Sequence, residues 1–137
     1  MSQSIAMLTL TLTASGSVAE RRCVTLAGAQ ATATGAKVRG VSNYAVVDGQ
    51  AFAATMTGTA VVETGAAVAV GDSLICDAQG RAIPASGALV LSAGAVAMTS
   101  TAANGTVLEG ADLPEFVFAD ALEAASAAGK FIEVLMR

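Results

Sequence analysis

The chain of 137 residues is apolar, weakly charged and of a length that favours a single domain. Hydrophobic residues make up 54% of it, charged residues 13%, and the formal net charge is −4, which excludes an intrinsically disordered chain. His and Trp are absent, so neither a histidine-dependent triad nor a histidine-ligated metal site can form. Seven basic against eleven acidic residues disfavour a nucleic-acid-binding protein, because neutralising phosphates needs clustered cations.

The first apolar stretch, residues 5–14, alternates in the way that a strand does. The even-numbered positions from Ala6 to Leu12 fall on one face, and Met7 with three threonines falls on the other. A secretory signal peptide is the alternative, but it would need a basic start and an uninterrupted apolar core. No stretch approaches the ~20 continuous apolar residues of a spanning helix. We therefore expect a protein made in the cytoplasm, with residues 1–17 as a possible N-terminal arm or strand.

Glycines punctuate the rest of the chain at short intervals, with runs of Val, Thr and Ala between them. Short β-prone runs separated by turn signals are typical of all-β sandwiches and barrels. We predict a single, mainly β domain over residues 1–137. It is a compact β-sandwich or barrel-like domain of short strands, with at most one short helix near the C-terminus. No internal repeat is apparent in the letters of the sequence.

Turn signals divide the middle of the chain into strands. After a strand region at 18–26, Asp48-Gly49 predicts a hairpin that follows a second region at 38–47. Gly58 predicts another turn, between strands at 52–57 and 59–63.

The segment from Gly71 to Pro84 is the clearest local unit. It predicts a strand over Ser73–Cys76, a turn over Asp77–Gly80 and a returning strand over 81–83, because Asp can bond its own backbone at the first turn position and Gly accepts the left-handed geometry at the fourth.

The C-terminal third contains one ambiguous segment. Residues 120–128 combine a capping-box pattern with helix-favouring alanines, yet they could equally be a strand that leads into a hairpin. An apolar segment at 89–100, a hairpin at Asn104-Gly105 and a final strand at 131–136 complete the prediction.

No constellation of residues points to catalysis. Cys23 and Cys76 lie far apart in sequence, and two buried reduced thiols are favoured over a disulfide. The glycine-rich stretch at 65–71 lacks the spacing and the lysine of a phosphate loop. We expect no enzyme activity, no metal, no cofactor and no small-molecule substrate.

Charge is unevenly distributed along the chain. Residues 1–40 carry a net charge of +3, whereas residues 109–123 carry −5. Ordinary surface charge is one interpretation. The other is a head-to-tail contact between subunits, in which the basic side of one meets the acidic side of the next. The candidate interface with a partner protein or a second subunit comprises Ser2, Gln3, Ser4, Arg21, Arg22, Lys37, Arg39, Glu109, Asp112 and Glu115.

Two segments resemble a known family. The segment GAAVAVGDSLICDAQGRAIP and the C-terminal ADALEAASAAGKFIEVLMR are similar to the small capsid cement (head decoration) proteins of tailed bacteriophages, over roughly residues 38–137. The resemblance implies a compact β domain that forms homotrimers on the outside of the expanded shell and clamps neighbouring major capsid subunits. It also implies a place in the virion, without nucleic acid or membrane as a partner, and the family has no catalytic or metal residues to transfer.

Two other classes of protein remain open from the sequence. One is a different self-assembling subunit, such as a phage tail or head-completion component or a pilin-like surface protein. The other is a small-ligand-binding β-barrel, which the scarcity of aromatic side chains disfavours.

Overall fold

The computed structural model describes residues 3–87 and 115–137, and within them the protein is all β. No residue in these two ranges is helical, and none of their segments is a long apolar helix able to cross a membrane. The expected mainly β fold is confirmed. The strands are β1 (Ala6–Thr13), β2 (Cys23–Val24), β3 (Gly40–Ser42), β4 (Ala51–Glu63), β5 (Ser73–Cys76), β6 (Ala82–Pro84), β7 (Ala119–Ala121) and β8 (Phe131–Met136).

The strands form one sheet that is nearly closed into a barrel. Its order is β2-β3-β4-β8-β7-β5-β6, with antiparallel pairing throughout, and β1 pairs with β4 outside this path. The first and last strands of this order, β2 and β6, lie close together. A hydrogen bond shows this, since the Cys23 N–H in β2 donates to the Gly80 carbonyl beside β6 at 2.7 Å. A parallel bridge between Thr64 and Ala82 also ties the end of β4 to β6.

The long strand β4 holds the two halves of the sheet together. Its first half pairs with β1 and β3, and its second half pairs with β8. The predicted turn at Gly58 is therefore wrong. Gly58 has a φ of +96° and lies where the β1–β4 register is irregular, so it accommodates a bulge while the strand continues.

Within residues 3–87 and 115–137 one local arrangement recurs four times, although the sequence shows no repeat. In each case a residue in an isolated β-bridge is followed by a turn that contains one residue with a positive φ, and the turn is followed by a strand. The bridge residues pair as Val18 with Val46 and as Val68 with Ala125. The left-handed residues of the four turns are Arg21, Gly49, Gly71 and Gly129.

The predicted hairpin at Asp77–Gly80 is confirmed. Asp77 Oδ1 accepts the N–H groups of Gln79 and Arg81, each at 2.8 Å, and Gly80 has a φ of +74°. Asp77 is buried and its Oδ2 lies 2.8 Å from Arg81 Nε, so the turn satisfies a carboxylate that would be costly to bury alone.

The ambiguous segment at 120–128 begins as strand β7 and continues through the bridge at Ala125 to a turn at Gly129. The helix alternative is thus not observed, and the strand alternative holds only for residues 120 and 121, because bends, the isolated bridge and the turn occupy the rest. The region predicted at 18–26 is strand only at β2, because isolated bridges and turns use the rest. The elements expected at 89–100 and at Asn104-Gly105 lie outside the described residues.

The buried side chains form two clusters at the two ends of β4. The larger packs Val62, Leu74, Phe118, Ile132 and their neighbours, and includes both cysteines. The smaller packs Phe52, Ala54 and Met56 against residues of the N-terminal third, and Leu12 of β1 covers part of it. Each cluster supports a different part of the surface.

Candidate interaction surfaces

Two of the predicted basic residues meet on one aromatic ring. The Arg39 guanidinium lies 4.9 Å from the centroid of the Phe116 ring, and Lys37 Nζ lies 6.0 Å from it. Buried Val38 separates the two cations in sequence, so both side chains project outward on the same side. The Phe116 N–H donates to the Gly35 carbonyl at 3.1 Å, which holds the ring beside them. We call Lys37, Arg39 and Phe116 the cation patch.

The cation patch has charge available for a partner. Both cationic residues are exposed, and no carboxylate of residues 3–87 or 115–137 lies within 4.0 Å of either one. The ring face attracts and orients the cations without neutralising them. An acidic surface that met this patch would therefore gain ion pairs without breaking any within the described chain.

Glu115, expected as an acidic interface residue, binds two neighbouring residues of the protein's own chain. Its carboxylate accepts the N–H groups of Ser86 and Gly87 at 2.9 and 3.0 Å, and it also accepts the Ser86 hydroxyl. The Ser86 hydroxyl lowers the pKa of Glu115 below its ordinary value, and the two N–H groups act in the same direction. We call Ser86, Gly87 and Glu115 the neck.

Arg22 is also committed within the fold. Its guanidinium donates to Glu63 Oε2 at 2.8 and 3.1 Å and to the Gln79 carbonyl at 2.8 Å. It thereby links β2, β4 and the turn before β6, which is a structural role. Arg21 lies 3.6 Å from Glu20 and belongs to the left-handed turn before β2.

The predicted N-terminal residues lie against the outer side of β4 and β8. The Gln3 N–H donates to Glu133 Oε2 at 3.2 Å, and the Ser4 hydroxyl faces the Thr59 carbonyl. Both residues are exposed. Ser2, Glu109 and Asp112 lie outside the described residues. Of the candidate interface residues, Lys37 and Arg39 meet at Phe116, which Glu115 directly precedes in the sequence. The arginines at 21 and 22 and the N-terminal residues make other contacts.

Strand β1 presents apolar side chains to water along most of its length. Met7 is 83% exposed, Ile5 60%, Leu8 46% and Leu10 40%. Leu8 and Leu10 lie on one face of the strand and Met7 on the other, and Ile5 directly precedes β1. The alternation that predicted a strand is confirmed, but it does not bury the leucines in the protein's own core, apart from partial cover of Leu12.

The two cysteines are free and fully buried in the larger cluster. Burial raises the pKa of Cys23 well above its ordinary value, and burial also raises the pKa of Cys76. Such thiols are poor nucleophiles, because the thiolate is the reactive form. The predicted burial of both thiols is confirmed.

No group of three potential metal ligands occurs among the described residues. A shallow, open depression lies beside residues 17–19, and its lining includes Gln30, Val47 and Gln50 without any charged side chain. Deep apolar walls and convergent polar groups, which small-molecule sites usually have, are not features of this depression.

Comparison with known proteins gives a likeness in fold. No family model matches the chain, and no curated protein matches it. The structure is similar to the crystal structure of the N base of head fiber gp8.5 of bacteriophage phi29, with a TM-score of 0.60. The two share 19% sequence identity, and the match covers 95% of this chain and 93% of the other. The chain therefore has the fold of that base.

Sequence reasoning missed Phe116 as part of the cation patch. The pattern Lys37-Val38-Arg39 already indicated two cations on one face of an extended segment. The ring comes from a segment 77 residues further along the chain, and nothing in the sequence pairs it with Gly35.

Proposed function

We propose that the protein is a structural component of a tailed-phage head, which binds the outside of the expanded shell as a cement protein and clamps neighbouring major capsid subunits. The observation that carries the proposal is the likeness in fold to a phage head fiber base over nearly the whole of both chains. The resemblance of the segments around Asp77 and the C-terminus to cement proteins supports the same class independently.

The cation patch is the part of the surface best suited to contact the capsid in this proposal. Interfaces between different proteins are more polar than obligate contacts, and arginine and aromatic residues are enriched in them. Arg39 and Phe116 provide both residue types, and Arg39 has no acidic partner within the described chain. We propose a homotrimer as the binding form, located on the surface of the virion.

Cosedimentation with undecorated expanded shells tests the proposal. The wild-type protein should bind saturably and raise the melting temperature of the shells. Arg39→Gln should weaken binding severalfold and reduce its dependence on salt, because one charge-assisted contact is lost. Lys130→Gln is the matched control, since it removes one exposed positive charge away from the cation patch. Absence of saturable binding to such shells would refute the function.

A second candidate is a base that holds a fibre on the head, as the name of the similar structure suggests for that protein. Electron microscopy of decorated shells distinguishes the two. A cement protein should occupy sites over the whole lattice, whereas a fibre base should occupy a few positions and carry a projection.

A further inference from the structure

The outer face of the second half of the sheet carries one carboxylate at the centre of four apolar side chains. Burial alternates along β8, so Phe131, Glu133 and Leu135 lie on the outer face and the residues between them are buried. Val61 of β4 pairs with Glu133 on one side, and Leu122 lies on the other, where its N–H donates to the Glu133 carbonyl at 3.0 Å. Both also lie on the outer face, because the residue before each one is buried. We call these five residues the β8 cross.

The apolar members of the β8 cross are largely in water. Phe131 is 54% exposed, Leu135 45% and Leu122 42%, and Val61 is half-buried. Single apolar residues scattered over a surface are ordinary, whereas several that adjoin on one face indicate an interaction site.

The first half of the sheet contains the same arrangement of backbone without the apolar side chains. The Asn43 N–H donates to the Ala53 carbonyl as the Leu122 N–H donates to that of Glu133, and a residue of β1 pairs with Ala53 as a residue of β4 pairs with Glu133. The residues at the five equivalent positions are small or polar, namely Thr11, Asn43, Ala51, Ala53 and Thr55. The fold therefore does not require large apolar residues on this face, which leaves binding of a partner as their role.

Glu133 determines the charge of that partner. Its Oε2 accepts the Gln3 N–H at 3.2 Å, and no cation in the described part of the chain lies within 4.0 Å of it. The neighbouring carboxylates of Glu63 and Asp120 are already bonded to arginines, at 2.8 and 2.7 Å. A cation that reached Glu133 would be surrounded by apolar side chains, and the exclusion of water would strengthen the ion pair.

We propose that the β8 cross is a docking site for an extended segment of another protein, in which a Lys or Arg has an apolar residue two positions before it and two positions after it. Alternate residues of an extended segment lie on one side and about 6.7 Å apart, which is the spacing of Phe131, Glu133 and Leu135 along β8. The aliphatic part of the cationic side chain would pack on Val61 and Leu122. The cation patch of a second copy does not match this face, since it has two cations at alternate positions where the β8 cross has one carboxylate.

Binding of a capped peptide, Ser-Leu-Thr-Arg-Thr-Leu-Ser, to the isotope-labelled full chain tests the proposal by NMR titration. The peptide should shift the amide signals of β8, Val61 and Leu122 saturably at millimolar concentration. Glu133→Gln and Phe131→Ser should each weaken binding about tenfold, because each removes one central contact. Glu20→Gln is the matched control, since it removes an exposed carboxylate outside the β8 cross and should leave binding unchanged.

A second peptide, with Gln in place of Arg, should bind the wild-type chain about tenfold more weakly, and no folding defect of a variant can affect this comparison. Three results would overturn the docking site. They are the absence of saturable shifts in β8, equal binding of the two peptides, and shifts of the β8 cross that depend on the concentration of the free protein, since the last would show that a second copy occupies the face. Arg39→Gln should bind the peptide as the wild type does, so a failure of the protein to bind shells would refute the proposed function and leave the docking site intact.

Discussion

Arg21 has the left-handed backbone conformation that a glycine adopts in each of the three equivalent turns of the protein. Its φ is +56°, whereas Gly49, Gly71 and Gly129 have φ values between +79° and +90°. A side chain with a Cβ is disfavoured in this region by roughly 1–2 kcal/mol. The surrounding backbone enforces the conformation, because the Arg21 N–H donates to Ser42 and its carbonyl accepts from Glu63, each at 3.0 Å.

Replacing Arg21 by glycine should therefore stabilise the protein relative to replacing it by alanine. Both variants lose the same side chain, and only glycine relieves the strain. We expect Arg21→Gly to exceed Arg21→Ala by about 1 kcal/mol in free energy of unfolding, measured by urea denaturation with unchanged m-values. Equal stabilities would show that the turn relaxes when the arginine is absent.

At the scale of elements, β4 is the strand on which the sheet depends. It pairs with β1 and β3 along its first half and with β8 along its second, and Gly58 lies opposite Ala6 at the start of β1. A Cβ at Gly58 would collide with the Ile5 carbonyl and lie 2.7 Å from the Met7 nitrogen. The start of β1 can therefore approach β4 only because residue 58 is glycine.

Gly58→Ala should detach the start of β1. Gly16→Ala is the matched control, since Gly16 has a similar φ of +87° but nothing within 4 Å of the added carbon. We expect Gly58→Ala to cost about 2 kcal/mol more than Gly16→Ala, because overpacking adds to the conformational penalty. In hydrogen exchange, the Thr59 N–H should lose the protection given by its bond to Ile5. Similar losses in the two variants would contradict the collision.

The sequence predicted those elements whose signals are local. The Asp77–Gly80 turn, β5 and β8 follow from neighbouring residues, because an aspartate, a glycine and an alternating run specify them without help from the rest of the chain. Gly58 misled the prediction, since a glycine serves a turn and a bulge equally well and only the pairing with β8 decides between them. For the same reason the cation patch was predicted only in part, as Phe116 reaches it through tertiary structure.

At the scale of the whole molecule, both thiols report on the opening of the larger core cluster. Cys23 in β2 and Cys76 in β5 have no exposed surface, and the Cys23 N–H donates to the Gly80 carbonyl in the turn that follows β5. A reagent can therefore reach either thiol only when that part of the barrel opens.

Alkylation of the native protein should accordingly be slow at both cysteines and should accelerate together as urea is added. Ala78→Cys supplies the control, because residue 78 is exposed in the adjacent turn and its thiol should react at the rate of a free peptide. Mass spectrometry after digestion measures each site. Rapid reaction of one native cysteine, or a loss of two hydrogens that indicates a disulfide, would contradict the expectation.

The neck has a consequence for engineering. Because Glu115 binds the backbone of both Ser86 and Gly87, the chain positions at Gly87 and Glu115 lie side by side, although 27 residues separate them in sequence. A foreign peptide inserted there would have both of its ends anchored, and the entropic penalty of closing its loop would grow only slowly with its length. On a repetitive shell, the neck would thus provide a grafting point for multivalent display of an antigen or a binding loop.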